Sequence, residues 1–159
     1  MPMAAFGSRF PEIALKETRS MTLRGHAVLP DGEYGFLEFY CDETGCDCRR
    51  ALFMVVSPDP SLPVWATINY GWESRDYYAK WMGDPKLTDE AYGASLEPLG
   101  RQSPFAAALL KLFVEVVADD AYVERLKRHY ALFKSTTAGR PVTKTSKPSS
   151  RTTKKRRKR

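Results

Sequence analysis

Cysteine and histidine are scarce in this chain, which has three cysteines and two histidines among 159 residues. All three thiols fall inside one eight-residue stretch. An odd, clustered count excludes a small disulfide scaffold, which distributes an even number of cysteines along the chain. Two histidines leave little room for general acid–base chemistry. No run approaches the roughly 18–20 uninterrupted apolar residues of a membrane span. The opening MPMAAFGSRFPEIALKE lacks a basic start followed by a long apolar stretch, so no secretory signal is expected. The expectation is a cytoplasmic protein with reduced thiols. Catalytic wording is missing as well: there is no Walker loop, no H-E-x-x-H, no G-x-S-x-G elbow and no dinucleotide glycine fingerprint. An enzyme finds no support in these patterns.

Acidic residues are absent from the end of the chain. Residues 135–159 hold ten Lys or Arg and no Asp or Glu, whereas residues 1–134 hold fifteen basic against nineteen acidic residues. The formal charge of +6 therefore divides into a body at −4 and a tail at +10. The body is 13–134, preceded by a loose lead-in over 1–12 with prolines at 2 and 11. It is rich enough in aromatic and branched residues to bury a core without staples. The tail offers almost nothing apolar to offset its chain entropy, so disorder is expected over 135–159.

Within the body the hydrophobic period changes at mid-chain. Strand formers are expected over 13–24, 34–41, 50–57 and 64–72, with turn chemistry at 25–32 and 58–63. RALFMVVS, apolar at both alternating sets of positions, reads as a strand covered on both faces. The short connections favour antiparallel neighbours, hence a four-stranded meander. Ser74 is placed to cap a short helix that Gly83-Asp84-Pro85 ends. Residues 84–102 read as irregular. Ser103-Pro104 then opens a helix over 105–118 that is apolar nearly all round, and Asp119 or Asp120 caps a last helix reaching Lys134. On that helix Tyr122, Val123, Leu126, Tyr130 and Phe133 form one apolar stripe, with Glu124 and Arg128 able to pair at i, i+4. Strands followed by helices predict an α+β fold with a helical hairpin on the sheet. The aromatic series Trp65, Trp72 and Trp81 with Tyr70, Tyr77 and Tyr78 suits a core better than a ligand groove.

The sharpest local signal is Cys41-Asp-Glu-Thr-Gly-Cys46-Asp-Cys48-Arg-Arg. Residues two apart in extended chain share a face, so Cys46 and Cys48 can set their sulfurs side by side. Gly45 permits reversal, which brings Cys41 back towards the pair. Three converging thiolates suit Zn²⁺, which takes four N, S or O ligands, and a dication also offsets the repulsion from Asp42, Glu43 and Asp47. Asp47, Asp42, Glu73 and His129 are candidate fourth ligands. His26 is not, because the second strand separates its loop from Cys41 by roughly 25 Å. His129, beside Lys127 and Arg128, otherwise reads as a solvated surface residue. Two other readings stand beside zinc: Cys41, Cys46 and Cys48 as small core hydrophobes, or Cys46 and Cys48 as a redox pair with Cys41 resolving.

The tail ends in Lys154, Lys155, Arg156, Arg157, Lys158 and Arg159. Six consecutive cations are an electrostatic binder of RNA or DNA phosphate backbone, salt-sensitive and blind to sequence, with no aromatic residues for base stacking. Arg125, Lys127 and Arg128 could add a local basic patch on the acidic body. The competing readings of the tail are a solubilising or vestigial extension, or a nuclear address. The expected function is a non-enzymatic, zinc-stabilised module that holds nucleic acid or a ribonucleoprotein. The alternatives are a thiol oxidoreductase or redox sensor, and a protein-interaction adaptor.

The stretches GEYGFLEFYC (32–41), CDCRRALFMVV (46–56), VWATINYGWES (64–74) and YVERLKRHYALFK (122–134) resemble an uncharacterised bacterial family. Its members are often described through a cysteine-rich zinc-binding motif like that at the C-terminus of the secretion ATPase SecA. That SEC-C-like motif does not occur in this chain, which has no cysteine after Lys134. The resemblance implies a bacterial cytoplasmic protein with a link to metal. It carries no zinc site onto Cys41, Cys46 or Cys48 and assigns no catalytic residue.

Overall fold

The computed structural model describes residues 2–138. Six strands, rather than the four expected, form one antiparallel sheet with helices alongside, so the α+β class holds while the sheet is larger. The chain enters as strand β1 (Met3–Ala5), short helices α1 (Phe6–Arg9) and α2 (Pro11–Glu17), and strand β2 (Ser20–Leu23). Strands β3 (Gly32–Cys41), β4 (Arg50–Val56) and β5 (Ala66–Gly71) follow, then α3 (Arg75–Met82), a 3₁₀ turn at Pro85–Leu87, α4 (Thr88–Ala91) and β6 (Gly93–Leu96). Helices α5 (Ala106–Val116) and α6 (Asp120–Ala138) complete it. The sheet runs β1-β3-β4-β5-β6, and β2 shares with β1 the outer edge of β3.

The extra strands lie where periodicity is too short to read. β1 sits in the expected lead-in and pairs Met3 with Cys41 and Ala5 with Phe39. Directly after it, Phe6 is buried and stacks on Phe10. The expected strand over 13–24 divides, because Pro11 at a first helical position starts α2 and leaves Ser20–Leu23 for β2. β6 occupies part of the expected irregular region and pairs Gly93–Leu96 with Gly71–Ile68.

Three central strands carry the core. In β4, Ala51, Phe53 and Val55 are buried, while Arg50, Leu52, Met54 and Val56 are half-buried. The strand is therefore fully covered on one face only, not on both as expected. β5 is buried at every position instead: residues 97–103 lie along Thr67 and Asn69, and Ala91 and Tyr78 lie against Gly71. There the Gln102 amide mimics a strand partner: the Thr67 N–H donates to its Oε1 (3.0 Å), and its Nε2 donates to the Thr67 carbonyl (2.8 Å).

The helical hairpin covers the inner face. Phe113 of α5 meets Phe36, Phe53 and Tyr70, one ring from each central strand, at centroid distances of 5.7, 4.8 and 5.8 Å. Tyr130 and Phe133 of α6 lie against Tyr40. The helix ends follow local chemistry. The Ser74 hydroxyl accepts from the Tyr77 N–H (3.1 Å), and Gly83 closes α3. The Asp119 carboxylate accepts from the Ala121 N–H (3.0 Å), which settles the choice between the two aspartates as caps. α6 continues past Lys134 to Ala138, and Thr137 is buried with its hydroxyl donating to Asp42 (3.2 Å). Among the described residues no helix is long and apolar enough to cross a membrane. Trp65 packs between Tyr34 and Phe105, and Trp72 lies against Tyr130, as core residues do.

Candidate metal centre

Cys41 is the last residue of β3, and Cys48 lies two residues before β4 begins. The intervening turn closes through the Cys46 N–H, which donates to the Glu43 carbonyl (3.3 Å), with Gly45 at φ +77°. This reversal brings the sulfurs of Cys41, Cys46 and Cys48 within 4.8 Å of one another. The chain can thus gather three soft ligand atoms in a volume that one metal ion spans. Cys41 and Cys48 are buried and Cys46 is partly exposed, so the cluster meets solvent on its Cys46 side.

Neighbouring elements hold the turn at several points. The Asp42 N–H donates to the Pro2 carbonyl (2.8 Å), while Arg9 of α1 donates to the Asp42 carboxylate (2.5 Å) and stacks over Phe133. Lys134 of α6 donates to the Glu43 carbonyl (3.3 Å). From α3, the Tyr77 hydroxyl donates to the Asp47 carbonyl and the Tyr78 hydroxyl to the Arg49 carbonyl (2.7 Å). Arg49 has φ +48°, a conformation uncommon for a side-chain-bearing residue. Its N–H donates to the Tyr130 hydroxyl (3.2 Å), and its guanidinium bridges Asp47 and Glu73 over the Tyr77 ring. These contacts fix a backbone that the isolated turn would not favour.

Burial favours the protonated form of the metal-free Cys46 and Cys48 thiols. It pushes Cys46 up to about 12, helped by the neighbouring sulfurs of Cys48 and Cys41, while the Lys134 ammonium pulls the other way. Burial also raises Cys48, opposed by the Arg50 backbone N–H. A bound dication reverses this balance, since thiols give up their protons on coordination. A redox nucleophile needs a lowered thiol pKa instead.

The residues expected as a fourth ligand have other partners in this structure. Among the described residues no Asp, Glu or His joins the three thiols as a compact group. Asp47 pairs with Arg49 (2.9 Å), which holds its carboxyl below the usual range. Asp42 is engaged by Arg9 and Thr137, and Glu73 by Arg49. His129 is fully buried rather than solvated. Its Nδ1 lies 2.8 Å from Glu38 and its Nε2 2.5 Å from Glu17, while Phe6 stacks on the ring at 4.3 Å. The signal for this was helical spacing: 122, 126, 129 and 133 fall on one face, whatever the polarity of residues 127 and 128. His26 accepts from the N–H groups of Val28 and Leu29 in its own loop. Residues 139–159 contain no Cys, His, Asp or Glu.

The basic-patch expectation also changes. Lys127 pairs with Glu124 (2.9 Å), Arg128 with Glu17 (2.9 Å), and Arg125 donates to the Glu17 carbonyl. The expected Glu124–Arg128 pair is replaced by these contacts. Lys154, Lys155, Arg156, Arg157, Lys158 and Arg159 lie outside the described residues. A scan of protein-family models, a search of curated proteins and a search of solved structures each returned no match.

Proposed function

We propose that this protein is a zinc-stabilised, non-enzymatic module that holds RNA or DNA through its C-terminal cations. The observation that carries the metal half is the convergence of three thiol sulfurs within 4.8 Å on a turn that α1, α3 and α6 hold in place. Zinc fits a soft-donor site that asks for no redox change, and its fourth ligand comes from solvent or from a side chain that reorients on binding. The metal fixes the β3–β4 connection and so the register of the two central strands.

Protein purified under reducing conditions is expected to contain about one zinc per chain, lost in Cys46→Ser and Cys48→Ser. At a thousandfold excess of metal over its dissociation constant, binding adds about 4 kcal/mol, so chelation should lower the thermal midpoint by roughly 10 °C. Metal-free protein whose Cys46 and Cys48 oxidise reversibly as a pair would overturn this reading in favour of thiol redox chemistry.

The separation of charge, −4 over residues 1–134 and +10 over 135–159, supports the nucleic-acid half. Neutralising about six phosphates gives a log–log salt slope near −5. Truncation after residue 140 should abolish this salt-sensitive retention while sparing Thr137, which a cut at 134 would remove. Equal binding by the truncated protein would overturn the role given to the tail.

A further inference from the structure

The outer face of the sheet forms an open groove of about 740 Å³, on the side that the α5–α6 hairpin leaves uncovered. Phe39, Leu52 and Met54 make its floor and Leu99, 97% exposed, its apolar lip. The register explains the floor: Phe39 faces Leu52, and Leu52 faces Asn69, so one side chain from each central strand shares this surface. One wall is the segment 97–101, held tightly against β5. The Thr67 hydroxyl donates to the Arg101 carbonyl (2.9 Å), and a Cβ at Gly100 would lie 2.5 Å from the Thr67 Cβ, so only glycine permits this approach.

The polar lining is uneven. Glu97 is engaged, since the Asn69 amide donates to one of its oxygens and the Leu99 N–H to the other (3.3 Å). The two cations are not neutralised: among the described residues neither Arg50 nor Arg101 forms an ion pair. Arg50 donates to the Glu90 carbonyl (3.1 Å), and its buried Nε has no partner. An apolar floor bordered by two guanidinium groups against one carboxylate, a net charge of +1, calls for an acceptor-bearing ligand. Arg50 and Met54 stand four residues apart on β4, so the floor is about 13 Å long, which suits an extended chain of modest length. The volume falls within the usual range for small-molecule sites.

We infer that this groove binds a small amphipathic anion, an aliphatic chain along Phe39, Leu52 and Met54 with a carboxylate-like head at the arginines. The site shares no proposed ligand with the thiol cluster and does not depend on metal binding.

Calorimetric titration of the full chain with decanoate, kept below its micelle concentration, tests this against decanol and against Arg101→Gln. Decanoate should bind saturably at one site, decanol about tenfold more weakly, and R101Q should weaken decanoate by a similar factor. Arg101 is exposed, so this variant is expected to fold, and an unchanged thermal midpoint checks that it does. Saturable decanoate binding also disappears in Met54→Trp, which fills the floor, if the groove is the site. Absence of saturable binding, equal affinity for the alcohol, or binding indifferent to both variants would overturn the proposal, the last by placing decanoate on the cationic tail. Sedimentation at the same concentrations that finds a dimer sealed by this face would overturn it in favour of a second copy.

Discussion

Replacing Gly71 by Ala is expected to lower the thermal midpoint by roughly 10 °C, about 3 kcal/mol of stability. The last residue of β5 runs against two neighbours at once. An added Cβ would overlap the Ala91 carbonyl oxygen and come 2.6 Å from the Tyr78 hydroxyl. The first is backbone and cannot rotate away. The second is already committed, donating to the Arg49 carbonyl and accepting from the Glu73 N–H (3.3 Å). Strain at Gly71 therefore passes through Tyr78 into the turn that holds the thiols, and metal affinity should fall with stability. Gly35→Ala is the control. Its Cβ would lie 3.5 Å from Val56 Cγ2, an ordinary contact, so less than about 1 kcal/mol is expected. Thermal melts of the two variants decide the matter, and equal midpoints would refute a close contact at Gly71.

Removal of the His129 ring should be comparably damaging. Glu38 is buried, and Tyr40 donates to the same carboxylate oxygen that His129 contacts. Without the imidazole that carboxylate loses its cation, and breaking such a pair costs about 3–5 kcal/mol. His129→Leu should therefore be close to unfolding at 37 °C, while His129→Leu combined with Glu38→Leu should recover part of the loss. The same cluster makes stability depend on pH. Burial alone would depress His129, but its contacts with Glu38 and Glu17 together raise it above 6.5. The folded state thus keeps a proton that the unfolded chain releases. This contribution is complete below pH 6.5 and is lost as pH rises through the elevated value. Glu17 behaves oppositely: Arg128 and His129 hold it at about 2 against an ordinary 4.5, so its contribution is present above pH 4.5 and is lost as pH falls towards 2. Denaturant melts between pH 6.5 and 7.5 should show wild-type stability declining. A flat wild-type profile would contradict a charged His129.

Local chemistry was the readable part of this sequence. Ser74 and Gly83 mark both ends of α3, Asp119 or Asp120 marks the start of α6, and the runs of strand formers at 34–41 and 50–57 locate β3 and β4, because each rests on interactions within a few residues. The thiol cluster was equally accessible, since Gly45 and the two-residue spacing of Cys46 and Cys48 dictate it. What escaped was settled by distant chain. β1 and β6 are three and four residues long and acquire strand geometry only by pairing with β3 and β5. The covering of β5 comes from Gln102, 35 residues away from Thr67. The sequence neighbours of His129 point to solvent, whereas its surroundings are Phe6, Glu17 and Glu38 on other elements. The acids near the cluster hold partners in this structure that are equally out of reach of local reading. Their engagement with Arg9 and Arg49 depends on α1 and on an unusual backbone at Arg49, neither of which has a local signature.

The hydrogen bonds around Asp42 join both extremes of the described chain. Arg9 reaches it from one side and Thr137 from the other, 95 residues further along. A ribosome working from the N-terminus therefore releases Cys41, Cys46 and Cys48 long before the helix that clamps their turn. Until α6 emerges, the three thiols belong to a nascent chain without that clamp, open to premature oxidation or to the wrong ion. For any metal that the cluster takes up, loading then becomes a question of timing, because the clamp on the turn forms only after synthesis has passed residue 137.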